Sequence, residues 1–283
     1  MDSSNEMAFG LKELRQAQKI MLYIMKAIHR LCEKHHIRYW LDYGTLLGAI
    51  RHDGFIPWDD DMDICMMRED FDRFCAIAPE ALKDEFFLQT PASDPTFLGM
   101  FAKLRLKGTI WLERTAEIAK VANVGLFVDI FPMDAMPKGK LSQRWTAFFY
   151  DQMLNGIKDY KSFGKAGKTF GKTLLKRMLS PFFSISRIQR LQQQKIQSLQ
   201  AYQATSPYIS KLCMDCKRDI CERQLLEELV LHRFEDTEFF IPARYDERLR
   251  SLFGDYMQLP PEDKRYNKHV VVQYDFGKYA SLE

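Results

Sequence analysis

No stretch of 18 apolar residues occurs in this chain, so the sequence offers no transmembrane helix. Its start, Met1 to Glu6, is polar and lacks the basic-then-apolar pattern of a leader. Cysteine is sparse. Cys32, Cys65, Cys75, Cys213, Cys216 and Cys221 are not spaced as a disulfide framework, which makes a reduced cytosolic setting the expectation. Charge of one sign is lacking too, since the net value is only +3. That excludes an argument for nucleic acid from charge alone, and no nucleic-acid partner is expected. There is no internal repeat and no clear linker. The 283 residues are enough for one large core with an appendage.

What is present is concentrated between Tyr39 and Met67. A short apolar strand, Tyr39 to Leu41, leads through a Gly44-Thr45 turn into a helical run that ends at Arg51-His52. A second turn carries Gly54 and Pro57. Then Asp59, Asp60, Asp61 and Asp63 crowd into five positions. Like charges so close destabilise the fold unless something positive neutralises them, and Mg²⁺ prefers oxygen ligands of this kind. As a strand, Asp61 to Met67 points Asp61, Asp63 and Cys65 to one face and Met62, Ile64 and Met66 into a core. Two carboxylates at i and i+2 can then hold metal beside a phosphate. The glycine turn at a helix start offers N–H groups to that anion. A solvated acidic loop is the plainer alternative, but Phe55, Ile56, Trp58, Met62 and Ile64 flank this one. The glycine that an EF-hand loop requires is missing.

Gly44-Thr45-Leu46-Leu47-Gly48-Ala49-Ile50-Arg51-His52, followed by Gly54-Phe55-Ile56-Pro57-Trp58-Asp59-Asp60-Asp61-Met62-Asp63-Ile64, resembles the signature of the LicD family of phosphocholine transferases. That family is related to the fukutin-related group and belongs to the nucleotidyltransferase superfamily. The resemblance continues at Lys103, Arg105 and Thr109, and at Gly125 to Asp134, where Asp129 stands alone in an apolar strand. A lone carboxylate there is either paired with Arg or Lys or bound to metal. The resemblance implies the third metal carboxylate. It returns at Pro242 to Asp246 and at Phe253-Gly254-Asp255-Tyr256-Met257 before Pro260-Pro261, with Phe253 replacing the family's usual tyrosine. His269 follows, as a histidine does in the family, although a core or surface role would explain it equally.

Elsewhere the chain reads as ordinary structure. Residues 11–36 form an amphipathic helix through Leu11, Leu14, Gln18, Met21, Met25, Ile28 and Cys32. Arg68 to Ala81 reads as a helix and Phe86 to Leu88 as a strand. Between Met100 and Ile110, Lys103, Arg105 and Lys107 alternate with apolar residues. This places cations on one strand face, either as a solvated edge or as partners for a diphosphate. Residues 158–195 carry ten Lys or Arg against one acid, Asp159, interleaved with apolar residues. Such a segment suits an anionic membrane surface, a polyanionic acceptor or a solvated helix face. Cys213, Cys216 and Cys221 invite a zinc reading, but free thiols fit as well.

The expected fold is α+β: a nucleotidyltransferase-like mixed sheet with covering helices over about 11–150, and a mostly helical half over about 151–283 packed on it as one domain. The resemblance implies transfer of phosphocholine, or a similar phospho-alcohol, from CDP-choline or a related CDP-alcohol. The acceptor would be a hydroxyl of a glycan or lipid-linked glycan, such as teichoic acid or lipopolysaccharide. Mg²⁺ or Mn²⁺ would be held by Asp61, Asp63 and Asp129, which are also the catalytic residues. Gly44, Thr45, Arg51, His52, Asp59, Asp60, Lys103 and Arg105 would bind substrate. The location is cytoplasmic, with peripheral contact at the inner face of the membrane through 158–195. A nucleotidyltransferase moving a nucleoside monophosphate to a small molecule is the alternative enzyme. A non-catalytic scaffold of the same fold is the other alternative.

Overall fold

The computed structural model describes residues 10–161 and 185–282, apart from 98, 120, 204, 214, 215 and 268. Most of the basic segment 158–195 lies outside the described residues. Helix α1 (Leu11–His35) leads to β1 (Trp40–Leu41), α2 (Tyr43–His52), β2 (Asp63–Met67) and α3 (Arg68–Ala81). Next come β3 (Phe86–Gln89), β4 (Ala102–Leu106), β5 (Ile110–Glu113), α4 (Arg114–Ala119) and β6 (Phe127–Ala135). Then follow α5 (Lys140–Lys161), α6 (Ile185–Gln200), β7 (Tyr208–Ser210), α7 (Cys216–Asp219) and β8 (Cys221–Glu222). The last elements are β9 (Leu229–Phe234), β10 (Thr237–Pro242), α8 (Tyr245–Phe253) and β11 (Val271–Asp275). The fold is α+β.

The chain divides into two compact units, one of residues up to 132 together with those from 224 on, the other of residues 133–223. In the first unit the sheet runs β1-β2-β6-β4-β3. β1 pairs with β2, and β4 with both β3 and β6, all antiparallel. β5 pairs with β11, and β9 with β10. The apolar stripe of α1 explains where that helix sits: Ile20, Met21, Ile24, Met25 and Ile28 are buried in one cluster with Ile64, Met66, Leu104, Val128 and Ile130 of the sheet. Each such side chain contributes about 1.5–3 kcal/mol. At its N-terminus, Glu13 accepts the Gly10 N–H at 3.0 Å, satisfying one orphan donor of the first turn.

Several details differ from the sequence reading. Gly44 and Thr45 lie inside the first turn of α2, not in a turn before it. Asp61 precedes β2 rather than beginning it. Both faces of β2 are covered, since Ile64, Cys65 and Met66 are all buried. Lys103 and Arg105 are buried rather than set along a solvated edge, because β4 is an inner strand between β3 and β6. β6 runs on through Pro132, so Asp134 is a strand residue. The C-terminal half carries β7 to β11 besides its helices, and residue 150 falls inside α5.

In the second unit, Asp134 and Ala135 of β6 pair with Ser210 and Ile209 of β7, which pairs in turn with β8. Met136, Ala147, Tyr150, Leu199, Leu212 and Cys216 form its small core. Cys213, Cys216 and Cys221 are buried and form no disulfide. No helix among the described residues is long and apolar enough to cross a membrane.

Candidate active site

The acidic stretch is fixed from below by α2 and from behind by α1. Asp42 caps the approach to α2, and its backbone N–H donates to Asp63 O at 3.3 Å. The Asp63 N–H donates to Thr45 Oγ1 at 2.8 Å. Thr45 is therefore spent on orienting the strand start. From α1, the buried Gln18 donates through Nε2 to Asp59 O at 2.9 Å and Ile56 O at 3.3 Å, which holds the loop carrying Asp59 to Asp61. A Cβ at Gly44 would lie 2.8 Å from Asp59 Oδ2, so a larger residue there would displace that carboxylate.

The C-terminal helix is fastened to the same place. Arg248 of α8 donates through Nε to Asp42 Oδ1 at 3.1 Å and through Nη2 to Oδ2 at 2.7 Å. Both side chains are buried. The Cys65 thiol donates to Asp42 Oδ2 at 3.4 Å. Arg248 also lies 5.4 Å from the ring centroid of Tyr43, a residue held at φ +51°. A bulky side chain in the left-handed region is strained and stays there only because its surroundings fix it.

A cavity of about 590 Å³ opens over these elements. Gly44, Arg51, Asp59, Asp61 and Asp63, all expected from the sequence, line it. Arg51 donates through Nη1 to Tyr256 O and through Nε to His52 Nε2, each at 3.0 Å. Burial lowers its pKa, Arg265 lowers it further and Asp59 opposes both. His52 is also lowered, by burial and by Arg51. Residues not expected as site residues line the cavity as well: Lys264, Tyr256, Tyr266, Asp255 and His269.

His269 Nδ1 stands 3.0 Å from Asp60 Oδ1 and 3.9 Å from Asp61 Oδ2. The bond to Asp60 raises the histidine pKa to about 9 against the opposing effect of burial, so it is protonated at neutral pH. Burial pushes the Asp61 carboxyl up to about 6; His269 and Lys103 pull it down, while Asp60 and Asp129 push it further up. The family's histidine after the proline pair was the one sequence signal pointing to His269.

The other expected residues sit around the cavity rather than on it. Lys103 and Asp129 are direct cross-strand partners on β4 and β6. Lys103 Nζ lies 2.7 Å from Asp129 Oδ1 and donates its hydrogen bond to Oδ2 at 3.0 Å. Burial raises the Asp129 pKa against the pull of Lys103. Asp129 Oδ1 and Asp60 Oδ2 are buried without a hydrogen bond. Arg105 donates to Gln89 Oε1 and Gly125 O, both at 2.6 Å, so its guanidinium is used within the fold. Burial lowers its pKa to about 10, which leaves it charged. Among the described residues, no three His, Cys, Asp or Glu side chains stand together as a ready metal-binding group.

Residues 36–161 match the family model described as LicD/FKTN/FKRP, nucleotidyltransferase domain. This stretch is a LicD-type domain. The chain is 29% identical over 279 residues to the lipopolysaccharide cholinephosphotransferase LicD of Haemophilus influenzae, covering 92% of this chain and 97% of that protein. An uncharacterized protein of Rickettsia prowazekii is 34% identical over 144 residues, 49% of this chain and 45% of that one. The human ribitol 5-phosphate transferase FKRP is 38% identical over 60 residues, 21% of this chain and only 11% of that protein. The LicD-type stretch thus contains α2, β2 and β6, with Asp61 just before β2, Asp63 on β2 and Asp129 on β6.

Proposed function

We propose that the protein transfers phosphocholine from CDP-choline to a glycan hydroxyl and releases CMP. The supporting observation is the cavity lined by Asp59, Asp61 and Asp63 together with Arg51 and Lys264, in a chain alignable over nearly its whole length with a cholinephosphotransferase. Arg51 and Lys264 hold the diphosphate by charge. Gly44 at the start of α2 lets the backbone approach it closely. Asp59 or Asp61 takes the proton of the acceptor hydroxyl, because Asp60 is engaged by His269. The protonated His269 in turn offsets the crowded acids.

The donor set suits a divalent cation. Asp61, Asp63 and Asp129 offer hard oxygen ligands, and the buried Asp129 Oδ1, 2.7 Å from Lys103 Nζ, carries no aligned hydrogen bond. These three residues would hold Mg²⁺ or Mn²⁺. When bound, such an ion neutralises charge developing on the leaving phosphate. Lys103 already serves Asp129, so an ion held there would share that carboxylate with the lysine. In the same proposal, the basic segment 158–195 brings the enzyme to an anionic surface bearing the acceptor.

The test is CMP release from CDP-choline with Mg²⁺ and with chelator. We expect metal-dependent release and a loss of at least about 10²-fold in Asp61→Asn and Asp63→Asn. Pyrophosphate release from CTP in place of CMP release would instead identify a nucleotidyltransferase. Neither product, with the protein folded, would refute both enzymes.

A further inference from the structure

The cavity wall holds more aromatic surface than a diphosphate can use. Tyr43, Trp58, Phe253, Tyr256 and Tyr266 all line it. Phosphate oxygens gain nothing from a ring face. Two of the rings are open to water, Tyr266 at 61% and Phe253 at 38% of full exposure. Exposed apolar surface around a concave site marks what a ligand covers.

The rings are already cation-binding in character. Arg248 lies 5.4 Å from the Tyr43 centroid, Arg250 lies 5.8 Å from Tyr256 and Arg265 lies 5.8 Å from Trp58. None of these three guanidiniums lines the cavity, although all three rings do. Carboxylates share the wall: Asp59, Asp61, Asp63 and Asp255. The neutral hydrogen-bonding groups there belong mostly to the rings themselves, the hydroxyls of Tyr43, Tyr256 and Tyr266 and the indole N–H of Trp58. Gln258 is the one amide, and no Ser, Thr or Asn among the described residues lines the cavity.

This chemistry discriminates among headgroups. A polyol presents several hydroxyls and needs matched donors and acceptors. A trimethylammonium group presents a diffuse positive charge, an apolar surface and no donor. Ring faces with carboxylates nearby are what attract it. We propose that the aromatic wall is the subsite for the quaternary ammonium headgroup of the donor and that it sets choline above polyol headgroups. This rests on the reading of the protein as a CDP-alcohol transferase. Arg51 and Lys264 then serve the phosphates, and Tyr266 and Phe253 cover the headgroup from the solvent side.

The experiment is calorimetric titration of the full chain with CDP-choline, CDP-ribitol and CDP, in wild type and in the double variant Tyr266→Leu/Phe253→Leu. Both positions are partly or largely exposed, so the variant retains its core. Wild type is expected to bind CDP-choline about tenfold more tightly than CDP-ribitol or CDP. The variant is expected to lose that advantage and keep its affinity for CDP. Equal affinity of wild type for CDP-choline and CDP-ribitol overturns the subsite. So does an equal loss for CDP and CDP-choline in the variant, which would mean that the rings stack on cytosine. Absence of any CDP-choline binding overturns it as well. CMP release is followed separately. Preferential binding without turnover leaves the subsite standing and removes the transferase. Turnover without preference does the reverse.

Discussion

Two buried ion pairs lie in the unit that carries the acids, and they are finished differently. Asp42 and Arg248 are sealed, at 0% and 1% side-chain exposure, with two hydrogen bonds between them and a thiol donating to the same carboxylate. Lys103 and Asp129 keep 11% and 12% exposure, and Asp129 Oδ1 has no hydrogen bond aligned to it. The lysine has a second stabiliser, since its Nζ lies 3.4 Å from the Phe127 ring centroid. A pair closed to solvent fastens two elements and is out of a ligand's reach. A half-finished pair can exchange one partner for another cation. The same residue chemistry therefore serves structure in one place and, under the proposed function, would serve a metal ion in the other.

The largest effect should come from opening the sealed pair. Arg248→Met leaves Asp42 charged and buried, which typically costs roughly 3–5 kcal/mol. Thermal unfolding should show this, and Asp42→Leu with Arg248→Met should recover part of it because no lone charge remains. A single variant as stable as wild type would mean that the pair contributes nothing to fastening α8.

A smaller effect is expected at a third buried carboxylate, one held by neutral donors. Burial tends to raise the Asp94 pKa, but hydrogen bonds from Asn123, Thr96 and Gln89 outweigh it and lower the value to about 2. A depressed carboxylate stabilises the fold above its ordinary pKa, and that contribution fades as pH falls from about 4 towards 2. The loss should be no more than about 2 kcal/mol. Urea melts between pH 5 and 2 should show a shallower acid limb in Asp94→Asn than in wild type. Parallel limbs would remove Asp94 from the account.

The smallest change in stability should be at the half-finished pair. With chelator, Asp129→Asn should lower stability by less than half of the Arg248→Met effect, because Lys103 keeps Phe127. With excess Mg²⁺, wild type should gain melting temperature and the variant should lose most of that gain. A large loss in chelator with the full Mg²⁺ gain retained would make Asp129 a second sealed pair.

How much of this was legible in the sequence follows from how local each feature is. The stripe of α1 and the strand–helix–acid order of 39–67 depend on near neighbours, and both could be read. The β9–β10 hairpin could not, because its turn uses Glu235 at φ +57° where a glycine would have announced it. The sequence named Asp129 and Lys103 separately, but only the register of β4 against β6 sets them opposite each other. The cations expected at phosphate divide likewise. Arg51 reaches the cavity wall, whereas Arg105 is absorbed by Gln89 and Gly125. Tyr256, Lys264 and His269 come to the acids from some 200 residues downstream, as the 209-residue separation of Asp60 and His269 illustrates. No local pattern encodes that approach.

The Asp42–Arg248 bond has a consequence for biosynthesis. Its partners are 206 residues apart, so at usual translation rates the helix bearing the glycine motif waits on the order of ten to forty seconds for its counter-charge. Throughout that interval Asp42 has no guanidinium to close against, and the loop it braces cannot settle. Interrupted synthesis before Arg248 yields a chain that carries every acid of the motif without the clasp that sets them. A ribosome stalled in the second unit therefore displays the acids of the motif without the finished cavity around them.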